Sequence, residues 1–346
     1  YLIGQFLNPR INHRKDEFGG SLENRMRFLS ESIAKTRHAI GTEKTLGVRV
    51  TLDEKTNSGV EKEETIEICR ALEKADHLDY FSVISGSSAS PDGWIHVFPP
   101  MAVAPAFVAD DAAQLKSIVA KPVLVAGRIN QAQTASQILS EGKADMIGMV
   151  RALIADPDFP NKVAENRSED IRACIGCNQA CVGHRLTHHA ISCIQNPVTG
   201  RELDLKPQPI QSKRLVWVVG GGPGGMKAAV TAAGQGHKVV LYEKQSKLGG
   251  QVNLAEKLPG RSEFGGVTTN LMNELDRSSV EICLASSADP DALHAIGPDV
   301  VIISTGAVPR LPEAEVTDMQ LLSAWSVIAG ESPAGQNVVI ADWSSD

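Results

Sequence analysis

The sequence predicts an α/β protein built from two successive parallel-sheet regions, and three observations predict it. Apolar strand-like runs alternate with amphipathic helical stretches from residue 1 to about 165. A glycine-rich turn follows the apolar run Leu215–Val219 and opens an Ala-rich helical stretch. Between these regions lies a short segment carrying four of the six cysteines.

The elements follow in order. Leu22, Met26, Leu29, Ile33 and Ile40 recur at helical spacing, and Ser21 is placed to cap that helix after the Gly19-Gly20 turn. A strand at Leu46–Val50 precedes a helix near 62–75, on whose inner face Cys69 falls with Thr65 and Leu72 as a small buried hydrophobe. A second strand, Tyr80–Ile84, leads into a long loop at 85–106 and a helix near 111–119. A third, Pro122–Ala126, precedes a helix near 131–141. A fourth, Asp145–Val150, runs into a helix opened by Asp156-Pro157, a capping residue and a first-turn proline.

Four β-α units in succession imply parallel strands with helices outside. A TIM (β/α)8 barrel takes about 250 residues. Residues 1–165 are therefore expected to be the C-terminal half of such a barrel, and the chain an internal fragment of a longer protein. The alternative is a four-stranded open sheet complete in itself.

Residues 166–213 hold the cysteine segment and a polar, Pro-containing connector. The spacing Cys174-x2-Cys177-x3-Cys181-x11-Cys193 bunches three thiols and returns a fourth by a short loop. Iron–sulfur clusters are held by closely spaced thiolates of this kind, and a [4Fe–4S] cluster is expected. Structural zinc, the alternative, usually takes two separated C-x2-C knuckles. A disulfide framework does not suit a chain this long and this poor in cysteine. The free thiols point to a reducing compartment, the cytoplasm. His184, His188 and His189 share the loop and read as polar loop residues.

A formal net charge of −7 and 4% aromatic residues leave no electrostatic or stacking footprint for nucleic acid. No apolar run reaches the length of a membrane span.

Residues 214–330 read as a Rossmann-like domain. Gly220, Gly222 and Gly225 satisfy G-x-G-x-x-G between a strand and a helix, where backbone N–H groups and the helix dipole favour a pyrophosphate. Glu243 ends the next strand, Lys238–Glu243, and is placed for ribose hydroxyls. Leu248-Gly249-Gly250-Gln251 follows at once, and Thr305-Gly306 closes a later strand, Asp299–Ser304. These accessory motifs suit FAD or an ADP moiety better than NAD. A last strand is expected at Val338–Ala341, so 331–346 reads as the start of a further unit.

In the first region the arginines at strand ends are the candidates. Arg49 is expected to point to a barrel mouth. Gly127-Arg128 and Val150-Arg151 follow the last two strands, whose loops commonly hold a phosphate in barrels, and guanidinium groups bind phosphate bidentately.

The stretch Leu7-Asn8-Pro9-Arg10-Ile11-Asn12-His13-Arg14-Lys15-Asp16-Glu17-Phe18-Gly19-Gly20-Ser21 resembles a loop of the Old Yellow Enzyme class of flavin oxidoreductases. With the four-cysteine run, the whole chain resembles the iron–sulfur branch of 2,4-dienoyl-CoA reductase and trimethylamine dehydrogenase. That resemblance implies an FMN-binding barrel, a [4Fe–4S] segment and a FAD- or ADP-binding domain. It further implies that Tyr1 is the tyrosine that protonates substrate carbon in the reductases. By the same resemblance Arg49 stands near flavin N1/O2, and Arg128 and Arg151 clamp the FMN phosphate. The family's reductases place a His in the loop at 85–106 and its amine dehydrogenases place Trp and Asp; Asp92, Trp94 and His96 all occur here, with His96 the catalytic candidate.

Where the reductases carry a second glycine fingerprint for NADPH, this chain has Asp342-Trp343-Ser344-Ser345-Asp346. The expected activity is therefore oxidation, by N-demethylation, of a small secondary or tertiary amine. Electrons would pass from FMN through the cluster to an electron-transfer flavoprotein or a bound FAD. The alternative is NAD(P)H-dependent reduction of an enoate or enoyl thioester. A third reading is a zinc-bearing nucleotide-binding module without redox chemistry. A homo-oligomer is compatible with all three.

Overall fold

The structure, a computed structural model, describes residues 2–57, 59–205, 210–288, 291, 295–310 and 319–342. Tyr1 and the stretch 343–346, both singled out above, lie outside the described residues. The chain forms two compact units, 1–168 with 176–200 and 169–175 with 201–346. The cysteine segment is thus divided: Cys174 falls in the second unit and Cys177, Cys181 and Cys193 in the first.

The first unit opens with α1 (Leu2–Leu7) and α2 (Leu22–Ile40). Ser21 caps α2 by accepting from Asn24 N–H, which satisfies one of the first-turn donors that have no partner inside the helix. Arg25, buried on α2, pairs with Glu64 and donates to the Leu7 carbonyl, so α1, α2 and the next helix share one ionic tie.

Then follow β1 (Gly47–Asp53), α3 (Lys62–Ala75), β2 (Tyr80–Ser85), α4 (Pro91–Val97), α5 (Ala109–Lys116), β3 (Val123–Ala126), α6 (Ala132–Ser140) and β4 (Met146–Gly148). The strands are parallel and pair in chain order β1-β2-β3-β4. Leu52, Phe81, Val83, Val123 and Val125 turn to one face and pack with Leu29, Cys69, Leu72 and Leu115 of the helices. Alternation puts Arg49, Ser82, Leu124 and Ala126 on the other face. That face carries Arg49.

The loop at 85–106 is not wholly irregular. It contains α4, with Ser90 as N-cap accepting from Gly93 N–H and Pro91 in the first turn. Gly86 (φ +92°) and Gly93 let α4 lie against the end of β2: a Cβ on Gly86 would stand 2.6 Å from the Gly93 carbonyl oxygen.

β4 is shorter than the expected Asp145–Val150. Asp156 does not open a helix but closes α7 (Arg151–Ala155), buried with its carboxylate 2.6 Å from Lys162 Nζ. The next helix, α8 (Phe159–Ala164), starts after Asp158, with Pro160 in its first turn.

In the second unit β5 (Leu215–Val219), α10 (Pro223–Gly234), β6 (Lys238–Tyr242), β7 (Glu281–Cys283) and β8 (Val300–Ile303) are the frame; the short α9 (His184–Leu186) belongs to the first unit. The strands are parallel in the order β7-β6-β5-β8. Between β6 and β7 run α11 (Val252–Ala255) and α12 (Gly265–Asp276). Val216, Val218, Met226, Leu241 and Leu275 fill the core.

The strand expected at Val338–Ala341 does not form. Val339 and Ile340 are 87% and 91% exposed, and a β-strand needs a paired neighbour to satisfy its backbone. Among the described residues no helix is long and apolar enough to cross a membrane.

Candidate functional site

On the sheet face turned away from the helices, Arg49 stands directly opposite Ser82 in the β1–β2 register, and its Nε donates to Ser82 Oγ at 3.1 Å. Ser82 is buried, so the hydroxyl is a fixed anchor that sets the guanidinium's direction. Just past the end of β1, burial pushes the Glu54 carboxyl above its ordinary range, with Val60 N–H opposing and the Asp53 charge adding. Neither Ser82 nor Glu54 was signalled by any motif.

In α4, His96 Nδ1 lies 2.9 Å from the Asp92 carbonyl oxygen and the ring lies 5.5 Å from that of Phe107. A carbonyl only accepts, so Nδ1 carries the proton of this bond. In the neutral imidazole Nε2 is then an acceptor. Trp94, the second candidate of this helix, packs on Phe98 with ring centroids 5.3 Å apart. The Ser90-Pro91 pair is the signal from which α4 is readable.

After β3, Gly127 leaves no room for a side chain: a Cβ would stand 2.3 Å from Val108 Cγ2. Arg128 adopts φ +52° and is 7% exposed, its carbonyl accepting from Ala106 N–H at 3.1 Å. After β4, Val150 is exposed and precedes α7, whose first residue is Arg151. Arg151 Nη1 donates to the Pro99 carbonyl at 2.9 Å and to Asn178 Oδ1 at 2.7 Å. Arg128 and Arg151 come just after β3 and β4, whereas Arg49 is the third residue of β1 and not at its end. Guanidinium groups so placed fit the anionic phosphate and the ring edge of FMN.

None of the four cysteines of the run is in a disulfide, and all four are partly exposed. Within the first unit, Cys177 precedes Asn178 (φ 56°), and a π-helical turn at Gln179–Gly183 carries Cys181. Ser192 N–H donates to the Ala180 carbonyl at 2.9 Å, which returns the chain beside that turn just before Cys193. Asn196 Nδ2 donates to the Ile154 carbonyl at 2.9 Å and pins the returning segment to α7. Partly exposed thiols are the donor type that an iron–sulfur cluster takes. Among the described residues no group of three or more His, Cys, Asp or Glu converges as on a single metal ion.

In the second unit the glycine motif has the backbone its spacing predicts. Gly220 has φ +108°, and a Cβ at Gly225 would stand 1.8 Å from the Gly220 carbonyl oxygen. Nothing lies within 4 Å of a Cβ built on Gly222, which leaves that face of the turn open. Glu243, buried just beyond β6, accepts from Gly221 N–H at 2.6 Å and from Gln245 N–H at 2.8 Å. Gly249 N–H donates to the Gly221 carbonyl at 2.9 Å, and Gln251 Nε2 donates to the Ala307 carbonyl at 2.8 Å beside Thr305 and Gly306. The glycine turn, Glu243, Gly249–Gln251 and the 305–307 turn thus form one rim. An open Gly222 and a buried acid fit the pyrophosphate and ribose of a dinucleotide.

Residues 1–170 match the NADH:flavin oxidoreductase / NADH oxidase family, and residues 216–297 match the FAD dependent oxidoreductase family. The chain is 38% identical over 338 residues to an NADH oxidase of Thermoanaerobacter brockii, covering 96% of the chain and 51% of that protein. It is 36% identical over 349 residues to a probable N-methylproline demethylase of Rhizobium meliloti, covering 100% of the chain and 51% of that protein. Among solved structures it resembles 2-naphthoyl-CoA reductase in complex with 2-naphthoyl-CoA, with a TM-score of 0.91 and 34% identity over 97% of the chain and 51% of the reductase. The chain spans about half the length of the curated relatives it matches.

Proposed function

This chain belongs to the NADH:flavin oxidoreductase / NADH oxidase family, and from that premise we propose that the whole protein is an iron–sulfur flavoenzyme that oxidises a small secondary or tertiary amine. Residues 1–165 are the C-terminal half of its FMN-binding TIM barrel. Residues 166–213 carry the [4Fe–4S] segment, with Cys174, Cys177, Cys181 and Cys193 as ligands. Residues 214–330 are a Rossmann-like domain for FAD or ADP, and 331–346 begin a further unit.

When bound, FMN supplies a two-electron acceptor and the cluster a one-electron relay toward an electron-transfer flavoprotein. Arg49, anchored on Ser82, supplies fixed positive charge for the flavin N1/O2 edge. Arg128 and Arg151 hold the phosphate. Gly220, Gly222 and Gly225 cradle the second dinucleotide's pyrophosphate, and Glu243 takes ribose hydroxyls. Gln251, Thr305 and Gly306 line the same rim.

The observation that carries the amine reading is the His96 hydrogen bond. With Nδ1 donating to the Asp92 carbonyl, the neutral ring offers an acceptor at Nε2, which suits the N–H of a secondary amine or of a protonated tertiary one. An enoyl carbonyl would instead need a donor there. Asp342, where the reductases have a glycine-rich turn, adds a negative charge that repels a dinucleotide pyrophosphate. The likeness to 2-naphthoyl-CoA reductase favours the second reading, reduction of an enoyl thioester by NAD(P)H.

Anaerobic titration of the full-length protein separates the two. A secondary or tertiary methylamine should bleach the flavin within turnover time, and neither NADH nor NADPH should. Fast bleaching by NADPH with consumption of an enoyl-CoA would establish the reductase instead.

A further inference from the structure

Asn178, the residue after Cys177, ties more of the first unit together than its place in the motif suggests. Its Oδ1 accepts from Arg151 Nη1 at 2.7 Å, and its Nδ2 donates to the Phe98 carbonyl at 2.6 Å. Its own carbonyl accepts from Gly183 N–H at 2.9 Å, closing the turn that carries Cys181. The side chain thus joins the start of α7, the end of α4 and the cysteine run through a single amide.

Two further close approaches bring the run beside residues 98–101 and Arg128. A Cβ at Gly176 (φ +62°) would lie 3.3 Å from Met101 N and 3.4 Å from Arg128 Nε. Arg185, past Cys181, lies over the Phe98 ring at 5.5 Å from its centroid.

The consequence for Arg151 is directional. Nη1 has two protons, and both are spent, one on the Pro99 carbonyl and one on Asn178 Oδ1. A guanidinium binds an anion bidentately through an edge of two nitrogens. With Nη1 committed, that edge is Nε–Nη2. Asn is the residue type this job needs: it tolerates the left-handed backbone at φ 56°, ψ 10°, and donates and accepts at once. Aspartate has no donor for Phe98, and glycine has no amide.

We propose that Asn178 is a positioning residue of the FMN phosphate site: it orients the Arg151 guanidinium and thereby makes flavin retention depend on the seating of the cysteine run. The inference rests on the FMN reading above.

The test uses the full-length protein stripped of flavin and titrated with FMN by fluorescence quenching, in parallel with iron analysis. Asn178→Gly keeps the left-handed backbone and all four cysteines but removes the amide. It should bind FMN about tenfold more weakly, the loss of one charge-assisted hydrogen bond, with its iron content unchanged. Arg151→Met should be weakened at least as much, and Asn178→Gly combined with Arg151→Met should be no weaker than Arg151→Met alone, because Asn178 acts through Arg151. Wild-type affinity in Asn178→Gly, additive losses in the double variant, or loss of iron together with flavin would each overturn the proposal. A wild-type protein that does not bind FMN at all would sink the underlying reading, and is distinguished by the first titration.

Discussion

Cys69 and the cysteines of the run are the same residue type set in different surroundings. Cys69 is fully buried on α3, between Thr65 and Leu72, and burial pushes its thiol up to about 12. The thiolate is the reactive form, so at pH 8 this side chain should resist a maleimide in the native protein and react only as the chain unfolds. Mass spectrometry of the labelled peptide reads this directly, and rapid native labelling at Cys69 would contradict it. The same shift sets a pH sign. Its contribution to stability is complete below the unfolded thiol pKa and is lost as pH rises toward about 12, because the unfolded chain gives up a proton that the native chain keeps. Alkaline denaturation should therefore be less steep in Cys69→Ala than in the parent.

At the scale of an element, the glycines at 220, 222 and 225 look alike in sequence but meet different surroundings. A Cβ at Gly225 would run into the Gly220 carbonyl, whereas one at Gly222 would meet nothing within 4 Å. Gly225→Ala should destabilise the second unit itself, seen as a lowered thermal midpoint. Gly222→Ala should leave that midpoint in place yet prevent the bound dinucleotide from being retained, because only a ligand needs the space. Equal midpoints for both variants, with the dinucleotide retained, would mean the turn serves the fold alone. The α4 helix teaches the opposite lesson. Its Ser90-Pro91 start is readable from the residues, but seven helical positions inside a long loop are too few for hydrophobic periodicity to stand out.

For the whole molecule, the proposed function turns on the direction of electron flow. If electrons leave FMN through the cluster, replacing Cys177 with Ala should remove the broad visible absorption of an iron–sulfur centre and leave the flavin bands. Substrate should still bleach the FMN of that variant, while turnover with an external acceptor should fail. Undiminished turnover would place the cluster off the electron path. One zinc and no iron in the purified full-length protein would remove the cluster altogether.

Periodicity and spacing were enough to read β1 to β4 with the helices α2, α3, α5 and α6 between and before them, the glycine turn with Glu243 beyond β6, and the bunched cysteines, but not the short β7 or the helices α1, α4, α7, α11 and α12. Each feature so read is a local pattern: a strand's alternation, a helix's repeat and a turn's glycines are written within a few residues. What only the tertiary structure decided is pairwise and long-range. Arg49 finds Ser82 across a strand register, Arg151 finds Asn178 and Pro99, and Gln251 meets the turn after β8. The failed strand at 338–341 belongs to the same class, since an apolar run becomes a strand only where a neighbour accepts its hydrogen bonds. Hydrogen bonds to partners dozens of residues away depend on how elements are placed, and no window of sequence contains that information.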